Sequence, residues 1–190
     1  MRSKARIEEN LKGIIIRSIN LNFEVMIPME LSGPLPREVE PFRRILKTMS
    51  ERYGKLRPAK ITLESEIPVG SGMGSSASTF AAFTAAYSKY LGVELSLDEV
   101  NEIVYEAECV VHGKPSGIDN TIVTYGGVIA YRKGEGFLRL NVKINQDYAW
   151  LVADTGVRRS TGDLVRRVLN LYDKYEDCLL YTSPSPRDRG

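Results

Sequence analysis

Cysteine, histidine and tryptophan are scarce in this sequence. Two cysteines in 190 residues, Cys109 and Cys178, are too few for a disulfide framework. The one histidine, His112, has only Cys109 nearby as a second soft ligand, which argues against a zinc centre. Long apolar runs are missing as well: none approaches the roughly 18 residues of a membrane span. The first residues, MRSKARIEENLKG, are polar and do not read as a signal peptide. Nor is there a surplus of either charge. The net charge is +2 and the basic residues are scattered, so neither a polyanion partner nor a nucleic-acid surface is indicated. What remains, 43% hydrophobic and 26% charged, is the composition of a soluble globular protein, with the cytoplasm as its default location. The length suits one domain, or one and a fraction.

Residues Ile67 to Ser78 read IPVGSGMGSSAS and are the most informative stretch. Before them ITLESEI has the alternating, β-branched look of a strand. After them comes a small, alanine-rich run with helical character that closes at Gly92. The order is therefore strand, glycine loop, helix. Glycine lets the backbone take positive φ and approach a ligand closely. A helix opening at Ser75 or Ser76 aims free N–H groups and the positive end of its dipole at the loop, and phosphate is the natural guest. Two common phosphate loops do not fit. No lysine follows Gly74, as a Walker A loop requires, and G-x-G-x-G is not the G-x-G-x-x-G of a dinucleotide fold. The competing reading is a glycine-rich turn under a tightly packed helix.

The rest of the chain reads as alternating elements. Residues 13–27 form one or two strands, and 28–41 a proline-bearing loop. A helix then starts near Pro41, with Phe42, Ile45, Leu46, Met49 and Tyr53 on one stripe. Ser96 and Glu99 form a capping box for a helix whose stripe is Val100, Ile103, Val104, Ala107 and Val111 and which Gly113 closes. Strands are expected at about 121–132, 137–143 and 148–154. A last helix runs from about Thr161 to Tyr175, with Leu164, Val168, Leu171 and Tyr175 in register.

Residues 105–120, YEAECVVHGKPSGIDN, carry a second motif, and residues 151–165, LVADTGVRRSTGDLV, a third. Together with PVGSGMGSSAS they resemble the GHMP kinases, and within that superfamily the mevalonate kinase family, in the family's order and at about its spacing. The likeness covers roughly Lys4 to Asp177. It implies an α+β fold: a GHMP kinase N-terminal domain, similar to the second domain of ribosomal protein S5, over 1–144. The start of a ferredoxin-like C-terminal domain follows over 145–177. The last thirteen residues, CLLYTSPSPRDRG, break the helical period and read as a non-native tail. The family's PGK-x-x-L-x-GEH segment, with its lysine, has no counterpart before Ile14, and its late GAGGGG-type loop has none either. The expectation is the middle of a larger kinase, inactive by itself.

The resemblance implies ATP-dependent phosphorylation of a small-molecule alcohol, foremost mevalonate to 5-phosphomevalonate in isoprenoid synthesis. ATP and Mg²⁺ are then the cofactors, and a homodimer of the full-length protein is allowed. Another GHMP kinase, or a non-catalytic nucleotide-binding remnant, is the alternative. Carried over residue by residue, Gly70, Ser71, Gly72, Met73, Gly74, Ser75 and Ser76 cradle the nucleotide phosphates. Ser65 contacts the nucleotide, Ser76 and Glu108 bind magnesium, and Asp119 is the catalytic base or hydroxyl-orienting carboxylate. Glu108 also stands out by position, on the inward side of its helix, where a carboxylate is costly unless paired or metal-bound. A boundary glutamate reaching water is the alternative. For Asp119 the alternative is an Asx-turn residue organising its loop. His112 is expected to be structural or substrate-side, and Thr155 and Arg158 read best as a solvated loop. Lys114 is not a substitute for the family lysine.

Overall fold

The computed structural model describes residues 1–54, 56–142, 151, 153, 167–172 and 174–175. The chain divides into two compact units, Met1–Val157 and Arg158–Gly190. In the second, residues 167–172 and 174–175 are helical, and Val168, Leu171 and Tyr175 are exposed. The expected strand at 148–154 apart from residues 151 and 153, residues 161–166 and 173 of the expected last helix, most of the ferredoxin-like start and the tail at 178–190 lie outside the described residues.

The first unit is built on a four-stranded sheet formed by β1 (Ser3–Glu9), β2 (Ile14–Ser18), β3 (Phe23–Ile27) and β4 (Ala59–Ser65), in the order β1-β4-β2-β3. β2 runs parallel to β4 with Ile16 opposite Ile61, and the other pairs are antiparallel. One face is apolar at period two: Ile14 and Ile16 of β2 and Ala59, Ile61 and Leu63 of β4 are buried. The residues between them point away, where Lys60 of β4 pairs with Glu24 of β3 at 2.9 Å. β1 was not anticipated from its polar composition. Its Ala5 and Ile7 are only partly buried, so the alternation is faint, and pairing with β4 over its full length makes it a strand.

Helices α1 (Glu40–Tyr53), α2 (Ser75–Leu91) and α3 (Leu97–His112) cover the core. α1 has proline in its first turn and ends at Gly54 with φ 69°. Its Phe42 ring meets Phe80 and Phe83 of α2 edge-on, at 5.2 and 5.1 Å, and Phe83 stacks on Tyr87 at 5.8 Å. The Tyr87 hydroxyl accepts from the Arg57 N–H and donates to the Arg57 carbonyl, so this buried ring leaves no polar atom unmatched. Burial pushes its pKa up to about 12. The α3 capping box forms as expected, and Tyr53 of α1 donates to Glu99 at 2.7 Å. Arg52–Glu102 and Arg44–Glu106 tie α1 to α3 along their exposed edge.

One element differs in kind from the sequence reading. Residues 118–125 are a helix, α4 (Ile118–Tyr125), and the strand begins only at Val128. The β-branched run TIVTY favours a strand locally, but tertiary docking overrides it. Asn120 is buried and donates to the Asn101 side-chain oxygen of α3 at 2.7 Å, while the Thr121 hydroxyl bonds the Gly117 carbonyl at 2.6 Å. β5 (Val128–Arg132) and β6 (Gly136–Leu140) then make a separate antiparallel pair. Among the described residues no helix is long and apolar enough to cross a membrane.

Candidate functional site

The glycine loop connects β4 to α2. Gly70, Gly72 and Gly74 have φ of 72°, 77° and 68°, whereas Ser71 and Met73 between them keep negative φ. Alternation of φ sign turns successive N–H groups toward a common point, the geometry of an anion-binding nest. At Gly72 an added Cβ would meet nothing within 4 Å, so the demand for glycine there is conformational rather than steric. The Ser71 hydroxyl donates to the Pro68 carbonyl at 2.8 Å and closes the turn.

Gly74 is the N-cap of α2, and no side chain caps the helix. The first bond back onto Gly74 comes from the Ser78 N–H at 3.0 Å. The N–H groups of Ser75, Ser76 and Ala77 therefore have no partner within the helix and point, with the positive end of the dipole, into the loop. Ser76 stands in this first turn, partly buried.

Ser65 ends β4 below the loop. Its hydroxyl accepts from the Ser3 hydroxyl at 2.8 Å and from the Ile67 N–H at 3.1 Å. Ser3 in turn shares a 2.7 Å hydrogen bond with Ser78 of α2. Three hydroxyls thus link β1, β4 and the first turn of α2, and Ser65 helps fix the loop's two ends.

Glu108 is buried with 2% of its side chain exposed. Its Oε2 lies 3.4 Å from His112 Nε2, one turn along α3, and its Oε1 has no hydrogen-bond partner. That is an expensive state for a carboxylate oxygen. The inward placement read from the helical period is what the structure contains. His112 is held above its usual pKa by the hydrogen bond to Glu108, against the opposing effect of burial, with the charges of Glu108 and Asp119 adding to the rise.

Asp119 sits in the first turn of α4, after Gly117 with φ 90°. It faces the glycine loop: a Cβ added to Gly74 would lie 3.6 Å from its Oδ1. Desolvation raises its pKa, the Glu108 charge raises it further, and His112 opposes both. The structure therefore brings together the uncapped start of α2, Asp119, Glu108 and His112, from three separate segments of chain. Thr155 and Arg158 lie outside the described residues.

A hard divalent cation suits this place. It prefers oxygen ligands, and Mg²⁺ commonly takes one or two from protein and the rest from phosphate and water. The unpartnered Glu108 Oε1 is such a ligand. Among the described residues no group of three or more acidic, histidine or cysteine side chains could hold a metal alone, so the remaining ligands would come from a nucleotide, water and hydroxyls such as Ser76.

Two supports of Asp119 escaped the sequence reading. Asn101 anchors the buried Asn120 beside it, and Tyr131 of β5 donates to the Ser116 carbonyl at 2.7 Å. The G in S-G-I-D signalled a special backbone at 117, but nothing local pointed to a tyrosine fourteen positions on.

Residues 40–127 match the family described as GHMP kinases N terminal domain. The mevalonate kinase of Aeropyrum pernix is 34% identical over 189 residues, covering 95% of this chain and 56% of that protein. The mevalonate kinase of Arabidopsis thaliana is 37% identical over 134 residues, 64% of this chain and 35% of that protein. The chain thus spans about half the length of the first of these relatives, and about a third of the second. The crystal structure of Methanococcus jannaschii mevalonate kinase superposes with a TM-score of 0.64 at 26% identity, covering 74% of this chain and 46% of that one. The structure of L. major mevalonate kinase in complex with R-mevalonate also gives a TM-score of 0.64, at 24% identity, over 92% of this chain and 53% of its own.

Proposed function

Since this chain carries the N-terminal domain of a GHMP kinase, with mevalonate kinases among its relatives, we propose that it belongs to an ATP-dependent kinase that phosphorylates mevalonate. The observation that carries the reading is the facing of Asp119 onto Gly74, with the buried, half-unpartnered Glu108 alongside.

Phosphoryl transfer is mainly positioning and charge neutralisation. The N–H groups from Gly70 to Ser76 receive the phosphates of ATP. Glu108 Oε1 and the Ser76 hydroxyl hold Mg²⁺, which supplies charge neutralisation on the transferring phosphoryl group. Asp119 stands across the loop from the phosphates, where it accepts or orients the proton of the attacking alcohol. Its raised pKa moves it toward the range in which a general base works well, and His112 keeps the neighbouring carboxylates from repelling one another fully. Ser65 acts through the hydroxyl chain to Ser3 and Ser78 rather than as a free donor to the nucleotide.

Calorimetry of ADP binding to this chain with and without Mg²⁺, beside a phosphorylation assay of the whole kinase with mevalonate, phosphomevalonate, homoserine and galactose, tests this. Mg²⁺-dependent nucleotide binding and preference for mevalonate are expected. Absence of Mg²⁺-dependent binding would overturn the phosphate and metal roles. Preference for another alcohol would overturn the acceptor, and binding without transfer to any of the four would favour a nucleotide-binding remnant.

A further inference from the structure

The turn that presents Asp119 is held from outside its own segment. Residues 115–117 leave α3 and enter α4 through Gly117, which is buried and has φ 90°. The carbonyls of this turn are engaged by side chains of the following strand and its end. Tyr131 donates its hydroxyl to the Ser116 carbonyl at 2.7 Å, and Lys133 donates to the Pro115 carbonyl at 3.2 Å. Tyr131 and Lys133 are two apart, so they project to the same side of the chain. The contact is tight. A Cβ on residue 117 would collide with the Tyr131 hydroxyl oxygen and lie 3.4 Å from its ring carbon Cζ, with Tyr105 of α3 at 3.8 Å behind. The glycine at 117 is thus needed twice, once for its φ and once because the tyrosine occupies the space of a side chain.

From this geometry we infer that Tyr131 is a positioning residue for Asp119: its hydroxyl clamps the Ser116 peptide and so sets where the Asp119 carboxylate stands against Gly74. The inference rests on the role given to Asp119 above. Asp119 lies three residues from the clamped carbonyl, with α4 carrying it rigidly once Asn120 and Thr121 are docked. Without the clamp, α4 keeps its anchor on α3 but the turn ahead of it gains freedom. A displacement on the order of 1 Å at such a site lowers rate by up to ~10²-fold.

The test compares Tyr131→Phe, which deletes only the hydroxyl, with Lys133→Met, which releases only the Pro115 carbonyl. Hydrogen exchange at the amides of 116–120 is read on this chain, and kcat and KM for Mg·ATP are read with mevalonate on the whole kinase to which the chain is proposed to belong. Tyr131→Phe should speed exchange in this turn at least ~10-fold while leaving α1 and α2 protected. It should lower kcat about 10-fold with KM for Mg·ATP unchanged, and cost nothing further when combined with Asp119→Asn, because both act through one carboxylate. Lys133→Met should give the same pattern more weakly. Unchanged exchange in the turn, or losses that multiply in the double variant, overturn the clamp. Turnover absent in the unaltered whole kinase counts against the kinase reading instead, and exchange then decides the clamp alone.

Discussion

Replacing Glu108 by methionine should make the protein more stable and unable to use magnesium. Glu108 is buried among the apolar positions of α3, with Val104 and Ala107 fully buried on the same side. Its Oε1 has no partner, and an unpaired buried polar atom costs ~1–3 kcal/mol. Its Oε2 has only His112, at a long 3.4 Å, and the attraction within a pair taken out of water is largely offset by the desolvation of its members. Removing one member of a buried pair is usually harmful because it strands the other charge. Here His112 can release its proton to water, so no charge is stranded. Methionine has nearly the same length and adapts its shape, which keeps the packing. The balance favours Glu108→Met by about 1–2 kcal/mol, or a rise in Tm of ~2–8 °C for a unit of this size. Ligand should reverse the ranking. At a hundredfold excess over Kd, Mg·ADP adds ~2.7 kcal/mol to a chain that binds it, and the variant should lose that increment. Thermal and urea unfolding with and without Mg·ADP measure both effects. A variant less stable than the parent by more than ~1 kcal/mol, with its Mg·ADP shift intact, would refute the argument that Glu108 is kept for a metal at the expense of the fold.

In the whole kinase, Asp119→Asn should leave Mg·ADP binding in place and lower the rate of transfer by ~10²-fold or more, as read by calorimetry beside kcat. It should also change the pH dependence of stability. The Asp119 pKa is raised in the fold, so the ionised form is disfavoured there, a cost present above the folded pKa and absent below the unfolded value of about 3.9. The asparagine variant should therefore gain on the parent at pH 7 in urea midpoint, with the gain vanishing toward pH 4; a constant difference across that range would contradict the raised pKa of Asp119. Gly74→Ala places an alanine at φ 68°, which costs ~1 kcal/mol and disturbs the start of α2 that receives the phosphates, so Mg·ADP affinity should fall together with stability. Phe83→Ala removes a fully buried ring lying between Phe42 and Tyr87 and should destabilise by ~3–5 kcal/mol in urea unfolding, without any specific effect on nucleotide affinity beyond loss of folded protein.

The sequence by itself determined the elements whose cause is local. The stripe from Phe42 to Met49, the Ser96–Glu99 box and the glycine closures at 92 and 113 each act within a turn or two, so α1, α2 and α3 were legible with their ends. The glycine loop was legible because backbone conformation at positive φ is written in residue type, and Glu108 because a helix period assigns its direction. The resemblance of its motifs to the GHMP kinases added the chemistry that periodicity cannot supply. Tertiary structure alone decided the rest. β1 became a strand because β4 offered it an edge, and TIVTY became a helix because α3 offered Asn101 to Asn120. The meeting of Gly74 with Asp119, 45 residues apart, and the hold of Tyr131 on Ser116 depend on how finished elements pack. A chain's local preferences amount to ~1 kcal/mol or less per residue, whereas burial and long-range hydrogen bonds act on whole elements at once. Where the two disagree, as at residues 121–125, packing prevails, and those residues share α4 with the aspartate proposed to carry the chemistry.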